Sequence, residues 1–537
     1  MPLTLEQAVG QKLMLSFVGT ELPPELDALL RQQHVGGVTL FRALNVSDPA
    51  QVRQLTAALQ RAAAASGQPP LLIGADQEGG QLMAIDGGTT RFPGNLALGA
   101  TGSADLAYQT GYALGRELAA MGINVNYAPD CDVNINPDNP VIGTRSFGED
   151  PALVARLGSA MIQGLQAAGV AATAKHFPGH GDTAADTHHG VAVVAHDRSR
   201  IQQVEIPPFA AAIDAGVRLV MSAHIAFPAF DGGVTLPATL SPQLLRGLLR
   251  EELGFAGVII SDALDMGAIT QGPGLVIDAL ASAAAGVDLL LLSAAETRQN
   301  SVYSGLLQAT RRMLLDPADV CASAERVLAL KRWTTAQPQP ALEVIGSAAH
   351  QTLAREIAAR AVTLVRDDAQ LLPLRLQPEA RLTVIVPRPI DLTPADTSSY
   401  VACSLLEAVR AHHASTDEFV VAADPGDAEI DELLGRVQGY DLVIVGTINA
   451  SVQQGQAALV NALLRSGVPT VAVALRMPYD LALYPDAPTF LCTYSILPPA
   501  IDALAAALWG QIPFEGRLPV SIPGLYPLGH GLVAHPA

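Results

Sequence analysis

Aromatic side chains are scarce in this 537-residue chain, with 2 Trp, 10 Tyr and 12 Phe making up only 4%. Long polysaccharide grooves need stacking platforms, so the shortage argues against an extended polymer groove and for a small soluble ligand. Basic residues are also few. There are 32 Lys and Arg against 51 Asp and Glu, a formal net charge of −19, with no clustering of the cations. Nucleic-acid binding requires such clusters, so that partner class is excluded and the acidic balance speaks for solubility. The four cysteines, Cys131, Cys321, Cys403 and Cys492, are far apart and form no CxxC pair, which points to reduced thiols rather than disulfides or a zinc site. The longest uncharged run, 442–464, carries Asn449, Ser451, Gln453, Gln454, Gln456 and Asn461, which would be costly in hydrocarbon, so no membrane span is expected. The first residues, MPLTLEQAVGQKLMLSFVG, lack a basic start, an uninterrupted apolar core and a cleavage site, and the expected location is the cytoplasm.

What is present is histidine at one place. Five of the twelve histidines fall between His176 and His196, mostly within KHFPGHGDTAADTHH (175–189). Asp186 stands two residues before His188, and a carboxylate at that spacing can orient an imidazole and raise its pKa, which is equipment for acid/base work. The four imidazoles of His176, His180, His188 and His189 raise the question of zinc. No helical HExxH or paired-Cys scaffold accompanies them, and neither a metal nor a cofactor is expected.

Short apolar runs recur along the first 335 residues: 13–17, 35–41, 71–76, 124–129, 171–176, 219–224, 258–262 and 288–293. Segments with helical period lie between most of them, as at 104–121 and 151–168, and this alternation predicts a parallel sheet. Eight such units predict an α/β fold that opens with an N-terminal (β/α)8 TIM-type barrel over 1–334. A proline-bearing linker, 335–352, is expected next, then a C-terminal three-layer α/β/α sandwich over 353–537, with strands at 382–387, 419–423, 441–447, 470–475 and 489–494. The second domain's histidines form no acid/base motif, so its expected role is mainly packing.

Asp76, Lys175, His176, His224 and Asp262 each end a predicted strand, where barrel enzymes assemble their sites. Asp76 and Asp262 singly also suit helix caps; the five coincidences together favour a site. A carboxylate at Asp262 facing an imidazole on a loop is a minimal nucleophile and general acid, the pair that glycoside hydrolysis needs. Asp265 reads as an early-helix carboxylate.

Five segments carry a resemblance: DQEGG (76–80), NPVIGTRSFGEDP (139–151), KHFPGHGDTAADTHH (175–189), ELGFAGVIISDALDM (252–266) and GRLPVSI (516–522). Together they are similar to the family 3 glycoside hydrolases, over nearly the whole chain, and the Asp-x-His loop resembles the β-N-acetylhexosaminidase branch. The resemblance implies a retaining, exo-acting enzyme that releases terminal β-linked N-acetylglucosamine. In it Asp262 is the nucleophile, His188 the acid/base and Asp186 its orienting carboxylate. Asp76, Arg145, Lys175, His176, His224 and Met266 would bind the sugar, Phe177, Tyr127 and Met266 would pack on its apolar faces, and Gly179 and Gly181 would permit loop closure.

Protonated His188 would donate to the glycosidic oxygen while Asp262 attacks C1, and neutral His188 would then activate the water that cleaves the ester. Gln81 and Ala84 stand where relatives that recycle muropeptides usually carry arginines, which speaks against an anionic aglycone. A histidine acid/base is neutral after donating its proton, so phosphorolysis by an incoming phosphate is an alternative. A β-glucosidase or β-xylosidase of the same family is another, and a non-enzymatic sugar-binding protein a third. The sequence leaves the oligomeric state open.

Overall fold

The computed structural model describes residues 3–183, 191–266, 269 and 274–533. Eight strands form the first sheet: β1 (Leu13–Leu15), β2 (Gly37–Thr39), β3 (Leu72–Ala75), β4 (Val125–Asn126), β5 (Ala171–Phe177), β6 (Leu219–Ser222), β7 (Val258–Ser261) and β8 (Leu290–Leu292). Neighbours pair in parallel in chain order, and β1 also pairs with β8. A parallel bridge between Ile260 and Leu289, with Leu264 N donating to Leu291 O at 3.0 Å, joins β7 to β8 and closes the barrel. All eight predicted strands are in this sheet.

Branched and long apolar side chains fill the barrel: Met14, Leu72, Val125, Tyr127, Leu219, Met221, Val258, Ile260 and Leu291 form one buried cluster. Outside, helices α1 (Ala104–Ala120) and α2 (Pro151–Ala167) bury their apolar stripes against the sheet. They approach closely because Gly111 and Gly164 face backbone. A Cβ on Gly111 would sit 2.3 Å from the Met161 carbonyl oxygen, and one on Gly164 would sit 2.1 Å from that of Tyr108. Each helix starts at a side-chain cap, Ser103 for α1 and Asp150 for α2. Helix α3 (Pro317–Thr335) covers the amino end of the barrel, adding Val327 and Leu330 to the inner cluster.

After α4 (Ala348–Ala361) comes a six-stranded sheet: β9 (Thr363–Asp367), β10 (Leu382–Pro387), β11 (Thr416–Val421), β12 (Leu442–Thr447), β13 (Thr470–Ala474) and β14 (Thr489–Cys492). Its order is β9-β14-β13-β12-β10-β11, parallel except for β9, which pairs antiparallel with β14. Helices α5 (Leu405–Arg410) and α8 (Pro498–Leu508) pack on one face, α6 (Asp427–Val437) and α7 (Gln454–Ser466) on the other, giving the three-layer sandwich. In this sheet, strand β9 is the one that sequence reading missed. It follows directly on an alanine-rich helix and ends in Arg366 and Asp367, which breaks the apolar run.

The two sheets are tied by specific contacts. Pro519 O accepts from Glu149 N at 3.0 Å, while Ser521 donates to the Glu149 carboxylate from both its N and Oγ at 2.9 Å. The closing GRLPVSI motif is thus a clamp on the SFGED segment.

Candidate functional site

The carboxyl ends of β3, β5 and β7 open on one cavity of about 670 Å³. Asp76, Lys175, His176, Asp262 and Met266 line it, with Arg145 from the turn after residues 139–143. Strand alternation and barrel closure bring these residues together across 186 positions of sequence, from Asp76 to Asp262.

The inner wall is a chain of charges. Lys175 Nζ lies 2.6 Å from both Asp76 Oδ1 and Glu78 Oε1. Arg145 binds Glu78 through two donors, Nε at 3.0 Å and Nη2 at 2.8 Å, the fork geometry that makes such pairs strong. Burial pushes Glu78 upward, but Arg145 and Lys175 more than offset it and hold its carboxyl at about 2. Lys175 in turn is raised despite its burial, because Asp76 and Glu78 face it. A third layer lies behind. His176 Nδ1 is 2.7 Å from Asp132 Oδ2, and Arg145 Nη2 is 3.4 Å from His176 Nε2.

Asp262 follows β7 and accepts from Ala263 N at 2.8 Å. Among the described residues it caps no helix, and the next described one begins at Leu275. Burial raises its pKa, yet His224, His176, the Ala263 N–H and Lys175 together bring it below the usual carboxylate value, so it is ionised at neutral pH. Asp265 is not the early-helix carboxylate expected from sequence. It sits in the turn after Asp262, lines the cavity and, among the described residues, leaves Oδ1 without a hydrogen-bond partner.

Other expected sugar contacts lie elsewhere. His224 is buried outside the described cavity lining, its Nδ1 2.8 Å from Thr239 Oγ1 and its Nε2 3.0 Å from Ala263 O. Phe177 and Tyr127 are fully buried, so neither offers a face to a sugar: Phe177 stacks edge-on with Phe209, and Tyr127 OH bonds Thr39 inside the barrel. Gly181 is required by a close approach, because a Cβ there would sit 1.8 Å from Val133 O. Asp186 and His188 lie outside the described residues. On either side of that segment, His196 Nε2 bonds Asp182.

Asp130, Asp132 and His176 bring ligand-type atoms within 4.8 Å of one another. Asp132 is occupied by two backbone N–H groups and the imidazole, and the Arg145 guanidinium stands 3.9 Å from Asp130, so the set suits a hydrogen-bond network better than a second cation.

The outer wall extends the expectation that the second domain mainly packs. Its segment 391–397 and Tyr400 line the cavity. Gln81 anchors that segment: its carbonyl accepts from Thr397 N and Oγ1, each at 2.8 Å, and its side-chain oxygen accepts from Arg476, which also binds Asp396 at 2.9 Å. Arg42 lies over the Tyr400 ring, 4.2 Å from its centroid. Sequence reading missed Glu78, Asp132, Arg42 and Arg476. The DQEGG motif contained Glu78, but no local signal distinguishes a buried ion-pair partner.

A carboxylate-lined cavity at the carboxyl end of a parallel barrel, walled by a second α/β domain, defines the active site of a two-domain barrel enzyme. Residues 4–330 match the Glycosyl hydrolase family 3 N terminal domain, and the chain belongs to glycoside hydrolase family 3. It is 35% identical to beta-hexosaminidase A of Pseudoalteromonas piscicida over 97% of each chain. It is 31% identical to a beta-N-acetylglucosaminidase/beta-glucosidase of Cellulomonas fimi, covering 96% of this chain and 93% of that one. A solved glycoside hydrolase family 3 beta-N-acetylglucosaminidase from Paenibacillus sp. str. FPU-7 superposes with a TM-score of 0.92 at 38% identity, over 97% of this chain and 99% of that one.

Proposed function

We propose that this enzyme is a retaining, exo-acting β-N-acetylhexosaminidase that removes terminal β-linked N-acetylglucosamine and transfers it to water. The observation that carries the reading is Asp262, held ionised in the cavity that Asp76, Lys175 and Arg145 also line. An ionised carboxylate can attack C1 as the glycosidic bond breaks, forming a glycosyl ester. His188, oriented by Asp186, gives its proton to the departing oxygen and then takes one from water. Asp76 accepts sugar hydroxyl protons, Lys175 and Arg145 donate to ring substituents, and Met266 offers an apolar contact. His176 completes this wall, and His224, close to Asp262, helps keep the carboxylate charged. Similarity to the Pseudoalteromonas and Paenibacillus enzymes supports the N-acetyl specificity. The four free cysteines support the cytoplasmic location.

Parallel assays on 4-nitrophenyl N-acetyl-β-D-glucosaminide and the matching β-glucoside test the reading. Preferred release of nitrophenol from the N-acetyl substrate supports it, and turnover of the glucoside alone would overturn it. In Asp262→Asn, kcat/KM should fall by about 10⁴-fold, in the range seen for loss of an essential catalytic carboxylate.

A further inference from the structure

Asp132 is fully buried and touches the candidate site at three points. Oδ1 accepts from the backbone N–H of His176 at 3.2 Å and of His180 at 2.6 Å, and Oδ2 faces His176 Nδ1 at 2.7 Å. The far side of the same ring faces Arg145, whose Nη2 is 3.4 Å from His176 Nε2. A guanidinium only donates, so Nε2 must accept there and the ring proton must sit on Nδ1, where Asp132 receives it.

We infer that Asp132 is a positioning residue for the reaction: it fixes the Nδ1–H tautomer of His176 and ties the backbone at His180, at the head of the segment that carries His188, to the same carboxylate. The inference rests on the proposed role of His176 in sugar binding. Presented this way, the Nε2 lone pair can accept a sugar hydroxyl proton, alone or shared with Arg145. Asp130 backs the arrangement by accepting Asp132 N at 2.9 Å through Oδ1. Among the described residues its other oxygen has no hydrogen-bond partner, and burial together with the neighbouring Asp132 charge pushes its pKa well up.

Asp132→Asn discriminates this role from simple packing. The amide must turn its oxygen to the two backbone N–H groups, which leaves its NH2 aimed at His176 Nδ1. The ring proton then moves to Nε2, where it opposes Arg145 donor to donor. Long-range ¹H–¹⁵N spectra of histidine-labelled protein, with the His176 signal assigned by its loss in His176→Gln, should show the Nδ1–H form in the wild type and the Nε2–H form in Asp132→Asn. The same variant should lose about 10²- to 10⁴-fold in kcat/KM on the N-acetylglucosaminide, the scale set by carboxylate-to-amide changes behind a catalytic histidine.

Wild-type spectra showing Nε2–H would overturn the inference even if the variant did not fold. So would a variant that loses activity with the tautomer unchanged. Absence of hexosaminidase activity in the wild type would sink the functional reading instead, leaving the tautomer assignment to be decided by the spectra.

Discussion

At the scale of single residues, the buried charges divide the work. Glu78 touches no sugar in the reading above, yet it holds Lys175 and Arg145 in place, and each of them faces the cavity. Glu78→Gln removes the charge between two buried cations. It should cost about 3–5 kcal/mol of stability in denaturant titrations, as breaking a buried pair does. It should also lower kcat/KM by about 10²-fold through misplaced donors, mainly as a higher KM. His188→Ala should slow substrates with poor leaving groups far more than 4-nitrophenyl glycosides, since only the former need a proton to depart. Asp76, Lys175, His176 and Asp262 were legible in sequence because each ends an apolar run. Glu78 and Asp132 were not, because their meaning lies in partners 67 and 44 positions away, Arg145 and His176.

At the scale of elements, strands and helices were readable where composition and period agreed, as in α1, α2 and all eight barrel strands. The element that escaped notice in function was the loop at 391–400, which carries no histidine and no strand pattern. It becomes a cavity wall only because Gln81 and Arg476 bracket it. Gln81, marked in sequence as the loss of a cationic donor, is a structural anchor between the two domains. Arg476→Ala strips Asp396 of its buried partner and releases the loop. Stability should fall by about 3–5 kcal/mol in calorimetry or denaturant titration, with KM rising more for a disaccharide than for an aryl glycoside, because the loop forms the outer wall.

Helix α3 gives a pH test. Burial draws Lys331 from 10.5 down to about 7. Between those values the unfolded chain holds a proton that the folded chain has lost, so this group makes stability rise with pH across the window. Below it both forms carry the proton and the cost of burying the charge is complete. Lys331→Met should therefore raise Tm at pH 6, and the gain should shrink towards pH 10; a gain independent of pH would contradict the assignment.

At the scale of the molecule, the barrel was readable because eight apolar runs with polar ends admit few other topologies, and the parallel second sheet because its strands alternate with amphipathic helices. The way the two domains share one cavity was not, since it depends on contacts such as Glu149 with Ser521 that leave no periodic trace. In the proposed reaction Asp262 takes the sugar and water removes it. The most direct test follows the product of 4-nitrophenyl N-acetyl-β-D-glucosaminide by ¹H NMR from the first minutes of turnover, with and without phosphate. Free N-acetylglucosamine is expected in both buffers, appearing first as the β-anomer. An initial α-anomer, or a sugar 1-phosphate in the phosphate buffer, would contradict it.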